Sequence, residues 1–154
     1  MKHIFRKYSL QLVKETSAKY EIENKISSPN DIVKVLSGVL NLEKQTEEVL
    51  VLATLNTQNV VTGLFEVSRG TINSSLVSPR EIFKRAILNN ASSIILAHNH
   101  PGNDSEASIN DIEVTKKIAE CSELLGIKLL DHVIVYEDGN NVRNTSLKKL
   151  GIIM

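Results

Sequence analysis

The stretch that most constrains this 154-residue chain is AHNHPGNDSEASINDIEVT, Ala97 to Thr115. A short apolar strand, Ser93 to Ala97, runs into His98 and His100. A polar loop, His98 to Ala107, follows, and Ser108 caps a long amphipathic helix. Residues two apart on a strand face the same side, so both imidazoles can converge on one point. Asp111 falls in the first helical turn, where the helix dipole favours a carboxylate. Two neutral imidazoles and one carboxylate make a three-ligand zinc set. The fourth position is left for water, as in catalytic rather than structural sites. Zinc would bring the pKa of that water to about 7. The residues alone leave a plainer reading open, a histidine pair incidental to a strand end. Ser108 also has two readings, helix cap or hydrogen-bond donor to an oxyanion.

The flanking segments supply the rest of a fold. Weak alternation marks Ser9 to Glu15 and Tyr20 to Ile26 as strands. Ser27-Ser28-Pro29 starts a helix, with Ile32, Val35, Leu36, Val39 and Leu40 at helical spacing. Val49 to Leu55 reads as a buried strand and Val60 to Val67 as its hairpin return, with a bulge or bend near its end at Ser68-Arg69-Gly70. Ser78-Pro79-Arg80-Glu81 combines a cap, a proline at the first helical position and a capping-box glutamate. Ile82, Phe83, Ala86 and Ile87 form the stripe of that helix. Val114, Ile118, Cys121 and Leu125 form the stripe of the helix after Ser108, which Gly126 ends. Ile127 to Tyr136 is a further strand. Interleaved strands and helices with a hairpin predict an α/β (α+β) fold, a mixed sheet flanked by helices.

Composition narrows the function classes. With one cysteine, Cys121, there is no internal disulfide and no thiolate zinc cluster, so a metal site must draw on the four histidines and the carboxylates. Cys121 reads as core. Eighteen basic residues balance eighteen acidic ones, which argues against a nucleic-acid binder with a uniformly basic surface. The balance is local in origin. Residues 1–20 carry five basic residues and one acid, whereas 98–131 carry seven acids and three lysines. The basic start reads as a solubilising terminus or a weak contact arm. No apolar run approaches a membrane span and the N-terminus carries charge throughout, so the expectation is a cytoplasmic protein without a membrane partner.

His98-Asn99-His100-Pro101, six residues, Ser108, two residues and Asp111 match the pattern H-x-H-P-x6-S-x2-D. In this the chain resembles the JAB/MPN metallopeptidases that carry the JAMM motif. SRGTINSSLVSPREIFKRAILNNASSIILAHNHPG, INDIEVTKKIAE and LLGIKLLDHVIV resemble the RadC-like branch in particular, and together cover roughly residues 47–138. The resemblance implies a JAB/MPN, cytidine-deaminase-like architecture over 29–154, with 1–28 as N-terminal strands or an arm of the same domain. It implies one Zn2+ per chain on His98, His100 and Asp111. Ser108 would steady the oxyanion, and Glu66, in GLFEVSRGT, would be the general base. Read without the resemblance, Glu66 is a solvent-facing strand residue. Asp131-His132 could support a ligand imidazole from behind. Strand alternation lets at most one of the two point there.

Two departures from the RadC-like pattern bear on loop shape. Pro101-Gly102-Asn103 stands where the family usually has Pro-Ser-Gly, and Asp104 to Ala107 lacks the proline more often found before the serine. The chain also reads as a short form without the helix-hairpin-helix region of full-length RadC proteins. The first functional expectation is a zinc-dependent hydrolase acting on an amide, peptide or isopeptide bond of a protein or peptide, with a homodimer as the candidate assembly. The second is a non-catalytic binding module linked to DNA repair or mobile elements. A metal-dependent nuclease is a third and weaker reading, because His98-Asn99-His100 lacks the spread of the HNH nuclease motif.

Overall fold

The computed structural model describes residues 3–70 and 77–153. Part of the SRGTINSSLVSPREIF run, residues 71–76, lies outside them. The described elements are α1 (Pro29–Leu40), a short 3-10 turn (Leu42–Lys44), β1 (Val49–Leu55), β2 (Val61–Arg69), α2 (Pro79–Leu88), β3 (Ser93–Asn99), α3 (Ile109–Leu125), β4 (Lys128–Asp138) and β5 (Asn141–Ser146). The strands form one mixed sheet in the order β2-β1-β3-β4-β5. The β1–β2, β1–β3 and β4–β5 pairs are antiparallel. The β3–β4 pair is parallel, as a crossover through a helix requires. This is the α+β fold expected, with helices on both faces.

Alternation along the central strands divides the core in two. Val49, Val51, Ala53, Leu55, Ile95, Ala97, Val133 and Val135 face α1 and bury Ile32, Val35 and Leu36. Leu50, Leu52, Ile94, Leu96 and Leu129 face the other way, against Ile82, Phe83 and Ala86 of α2 and Val114 and Ile118 of α3. Both faces of the middle strands are therefore dry, which explains the unbroken apolar run VLVLATL. Cys121 packs against the second core, as expected. Ile87 and Leu125, read as stripe residues, are exposed instead: each lies in the last turn of its helix, past the last buried residues Ala86 and Ser122.

Two expectations fail at the N-terminus. No strand forms over Ser9–Glu15 or Tyr20–Ile26; the structure has only an isolated bridge from Lys25 to Val60. A strand needs a ladder partner. The outer edge of β2 meets the segment only where Ile26 N donates to Asn59 O and Val61 N to Asn24 O. Ile4, Phe5, Tyr8, Leu10 and Val13 remain exposed. The sequence reading also stops short of β5, whose polar NVRNTS pairs with β4 at the sheet's edge. At the end of β2 a bend forms at Gly70, with φ 99°, and a bulge sits just ahead of Ser68. Leu50 pairs with Ser68 and Val51 with Glu66, so Val67 is the extra residue of a bulge.

Candidate metal centre

The site forms where β3 ends and α3 begins. His98 occupies the second-core face of β3, next in the row after Ile94 and Leu96, and is fully buried. His100 continues the strand direction, its backbone N–H donating to Val135 O. The chain then turns back through Pro101 and Gly102, with Asn103 in the left-handed region at φ 60°. Ser108 caps α3: its Oγ accepts from Asp111 N at 3.1 Å. The Asp111 carboxylate returns the contact, Oδ2 accepting from Ser108 N at 2.8 Å and from Ser108 Oγ at 2.7 Å. This capping box fixes the carboxylate's direction.

Three ligand-type side chains meet as a result. His98 Nε2 lies 3.0 Å from His100 Nε2. Asp111 Oδ1 lies 3.2 Å from His98 Nε2, and Oδ2 lies 3.5 Å from His100 Nε2. Among the described residues, these three form the group able to hold a metal ion. Two nitrogen ligands about 2.0–2.1 Å from a tetrahedral zinc stand about 3.3 Å apart, close to these spacings. The donor chemistry agrees. The imidazole N–H at His100 Nδ1 donates to Asp104 O at 2.9 Å, so Nε2 of the neutral ring is a bare lone pair. His98 Nδ1 is engaged with His132 Nε2 at 2.8 Å. Nitrogens facing each other at 3.0 Å need a hydrogen or a metal ion between them.

The electrostatics follow from the same contacts. Burial alone would raise the Asp111 pKa, but its contacts with the His100 and His98 rings and with the Ser108 hydroxyl outweigh it and hold the carboxyl far below its usual range. The hydrogen bond to Asp111 raises the His100 pKa against the opposing pull of burial. The Asp104 carbonyl and the charge of Glu48 add to the rise. His132 is wholly buried, and desolvation pushes its pKa well below the ordinary value.

Glu66 is not part of this assembly. It pairs across the ladder with Val51, which pairs with Ala97, and both face α1. Its neighbours Phe65 and Val67 pack on the second core, so Glu66 points to the opposite side of the sheet from His98. There it is gripped by Arg69, whose Nε and Nη2 each donate at 2.9 Å. It lines a groove of about 820 Å³ together with the chain around Lys14 to Ala18. Asp131 is likewise turned away. It accepts from Ser146 Oγ at 2.6 Å and from Lys148 N at 3.1 Å, tying the turn after β5 to β4. An irregularity between Ile94 and Ile95 in the β3–β4 ladder accompanies this orientation. Of the Asp131-His132 pair, only His132 reaches the histidine cluster.

The carboxylate on the cluster's side is Glu48, which sequence reasoning passed over. Alternation along β1 puts Glu48 on the face of Leu50, and Leu50 pairs with His98. Its charge is one of those raising the His100 pKa. Asn99, between the two histidines, faces the opposite way and clamps this part of the chain. Its Oδ1 accepts from Val49 N at 2.8 Å, and its Nδ2 donates to Gln45 O at 3.1 Å and Glu47 O at 3.0 Å. The available signal was an acid immediately before an apolar strand that pairs with the histidine strand.

The family model described as the RadC-like JAB domain matches residues 26–152. The chain belongs to the RadC-like JAB domain family. A UPF0758 protein of Clostridium beijerinckii is 46% identical over 129 residues, covering 84% of this chain and 54% of the relative. UPF0758 proteins of Clostridium botulinum and Clostridium perfringens are 46% and 45% identical with the same coverage. The chain spans about half the length of the curated relatives it matches. This RadC-like JAB domain thus carries a His-His-Asp group able to bind metal. Among the described residues, no helix is long and apolar enough to cross a membrane.

Proposed function

We propose that this chain is a zinc-dependent hydrolase that cleaves an amide, peptide or isopeptide bond in a protein or peptide. The observation that supports it best is the meeting of His98 Nε2, His100 Nε2 and an Asp111 oxygen within 3.5 Å of one another at a strand end. These three residues would hold the ion; the mixed nitrogen and oxygen set suits zinc. Bound zinc supplies Lewis acidity, which makes a water nucleophilic near neutral pH and polarises a carbonyl. Glu48 accepts the proton from the attacking water and returns it to the leaving amine. Asn99 holds the backbone on both sides of Glu48 and so fixes where its side chain leaves the chain. Ser108 donates its one hydroxyl proton to Asp111, so its task is to aim that carboxylate rather than to meet an oxyanion.

Elemental analysis after zinc loading tests the metal, and a metal-supplemented peptide library tests the chemistry. The expected result is one zinc per chain and zinc-dependent cleavage. His98→Ala and His100→Ala should lose the metal. Glu48→Gln should keep the metal and lose cleavage. No stoichiometric zinc in the folded wild-type protein would overturn the proposal.

A further inference from the structure

Behind His98 runs a chain of hydrogen bonds whose directions can be assigned from donors and acceptors alone. It starts at Asp111 O, a carbonyl, which can only accept. Thr115 Oγ1 therefore donates its single proton to it. The same Oγ1 also meets His132 Nδ1, and with its proton already committed it accepts there, so Nδ1 of His132 carries the hydrogen. His132 is completely buried and, among the described residues, no carboxylate hydrogen-bonds its ring, so the ring is neutral: an uncompensated charge in such a place would be too costly. Its Nε2 is then a bare acceptor, 2.8 Å from His98 Nδ1. The hydrogen between them belongs to His98.

We propose that Thr115 and His132 are positioning residues that hold His98 as its Nδ1–H tautomer, so that its Nε2 lone pair faces His100 and Asp111. The effect on metal affinity rests on the metal reading above; the tautomer does not. The device is compact. Thr115 is four residues after Asp111 on α3, so the helix that presents the carboxylate ligand also presents the hydroxyl that orients the histidine. His132 sits on β4 beside β3, with Leu96 as its ladder partner. A ligand on β3 and a ligand on α3 are thereby coupled through a third element. Removing the hydroxyl breaks the direction. Without an acceptor at Nδ1, His132 keeps a hydrogen bond by moving its proton to Nε2. His98 must then accept at Nδ1 and carry its own proton on Nε2, turned toward the metal position.

Thr115→Val removes the hydroxyl at nearly constant volume, and Thr115→Ser restores it. Nitrogen-15 shifts of the ring atoms in metal-free protein near neutral pH report the tautomers, and chelator competition reports zinc affinity. Wild type and Thr115→Ser should show Nδ1–H rings at His98 and His132. Folded Thr115→Val should show Nε2–H rings and bind zinc about 10–100-fold more weakly, the usual loss when a support behind a metal ligand is removed. A wild-type His98 protonated at Nε2, or a Thr115→Val protein with unchanged tautomers, overturns the proposal. Wild type with both Nδ1–H rings but no zinc uptake would support the tautomer device and retire the metal reading.

Discussion

Two helices of this protein begin with three of four letters in common. Ser28-Pro29-Asn30-Asp31 opens α1 and Ser108-Ile109-Asn110-Asp111 opens α3. In both, the aspartate folds back onto the helix start. Asp31 Oδ2 accepts from Ser28 N at 2.8 Å and Ser27 N at 3.0 Å, and Asp111 Oδ2 accepts from Ser108 N at 2.8 Å. The Asp31 pKa is lowered by the Ser27 backbone hydrogen bond first of all, and the group remains at the surface. Asp111 is buried, and its second oxygen is 3.2 Å from a buried imidazole. The local motif makes a helix start in both places. It makes a candidate ligand only where the helix begins at the end of a strand that carries histidines. Local sequence supplies the carboxylate's conformation, and topology supplies its partners.

Changing each aspartate in turn should give the largest contrast. Asp111→Ala should abolish stoichiometric zinc binding, whereas Asp31→Ala should leave it unchanged and cost about 0.5 kcal/mol in chemical denaturation, as expected for one charge at a helix start. Equal metal binding by the two variants would break the comparison. The two glutamates make a second contrast across the sheet. Glu48→Gln should lower hydrolysis by about 100-fold or more, the usual contribution of a general base. Glu66→Gln should stay within a few-fold of wild type, since it meets Arg69 on the other face.

Asn99→Ala should come next. It leaves a buried N–H and two carbonyls at residues 45–49 without their side-chain partner, at a cost of about 1–3 kcal/mol for the first group exposed this way. Activity should fall further than zinc content, because Glu48 is displaced and the ligands are not. Ser108→Ala should cost about 1 kcal/mol as a lost cap and weaken zinc binding only modestly.

The pH response should differ in sign between metal-free and zinc-loaded protein. The His100 pKa is raised above its ordinary value in the folded metal-free chain. That contribution to stability is complete below about pH 6.5, the unperturbed value, and is lost as the pH rises through the raised one. Zinc competes with the same proton, so its stabilisation should grow over that range. Thermal unfolding from about pH 5 to 8, with and without zinc, should show the two curves diverging. Parallel curves would contradict the assignment of His100 as a ligand.

How much of this was legible in the sequence depended on how local each feature is. His98, His100, Ser108 and Asp111 lie within one strand–loop–helix segment, so periodicity and a cap were enough to bring them together. The choice between Glu48 and Glu66 was not local. Glu48 immediately precedes β1 and Glu66 lies within β2, and the bulge at Val67 together with the pairing of Leu50 with His98 decides which face each one takes. The same holds for Asp131 and His132. Alternation predicted that only one would face the cluster, and the ladder with β3 selected His132. Thr115 was available from its spacing to Asp111, yet a threonine in a helix carries no signal until its hydroxyl is seen to meet a histidine. The N-terminal alternation misled because strands are made by partners, and residues 9–15 have none in the sheet.

The central claim is that His98, His100 and Asp111 form one metal site. Titration of the metal-free protein with Co2+, followed by visible absorption, tests it most directly, because a four-coordinate cobalt site has an intense, recognisable spectrum. The expected result is a tetrahedral-type spectrum that saturates at one ion per chain, is displaced by zinc, is lost in His98→Ala and Asp111→Ala, and is intact in Asp31→Ala. A folded wild-type protein that shows no saturable cobalt spectrum, or one that survives the loss of His98, would contradict it.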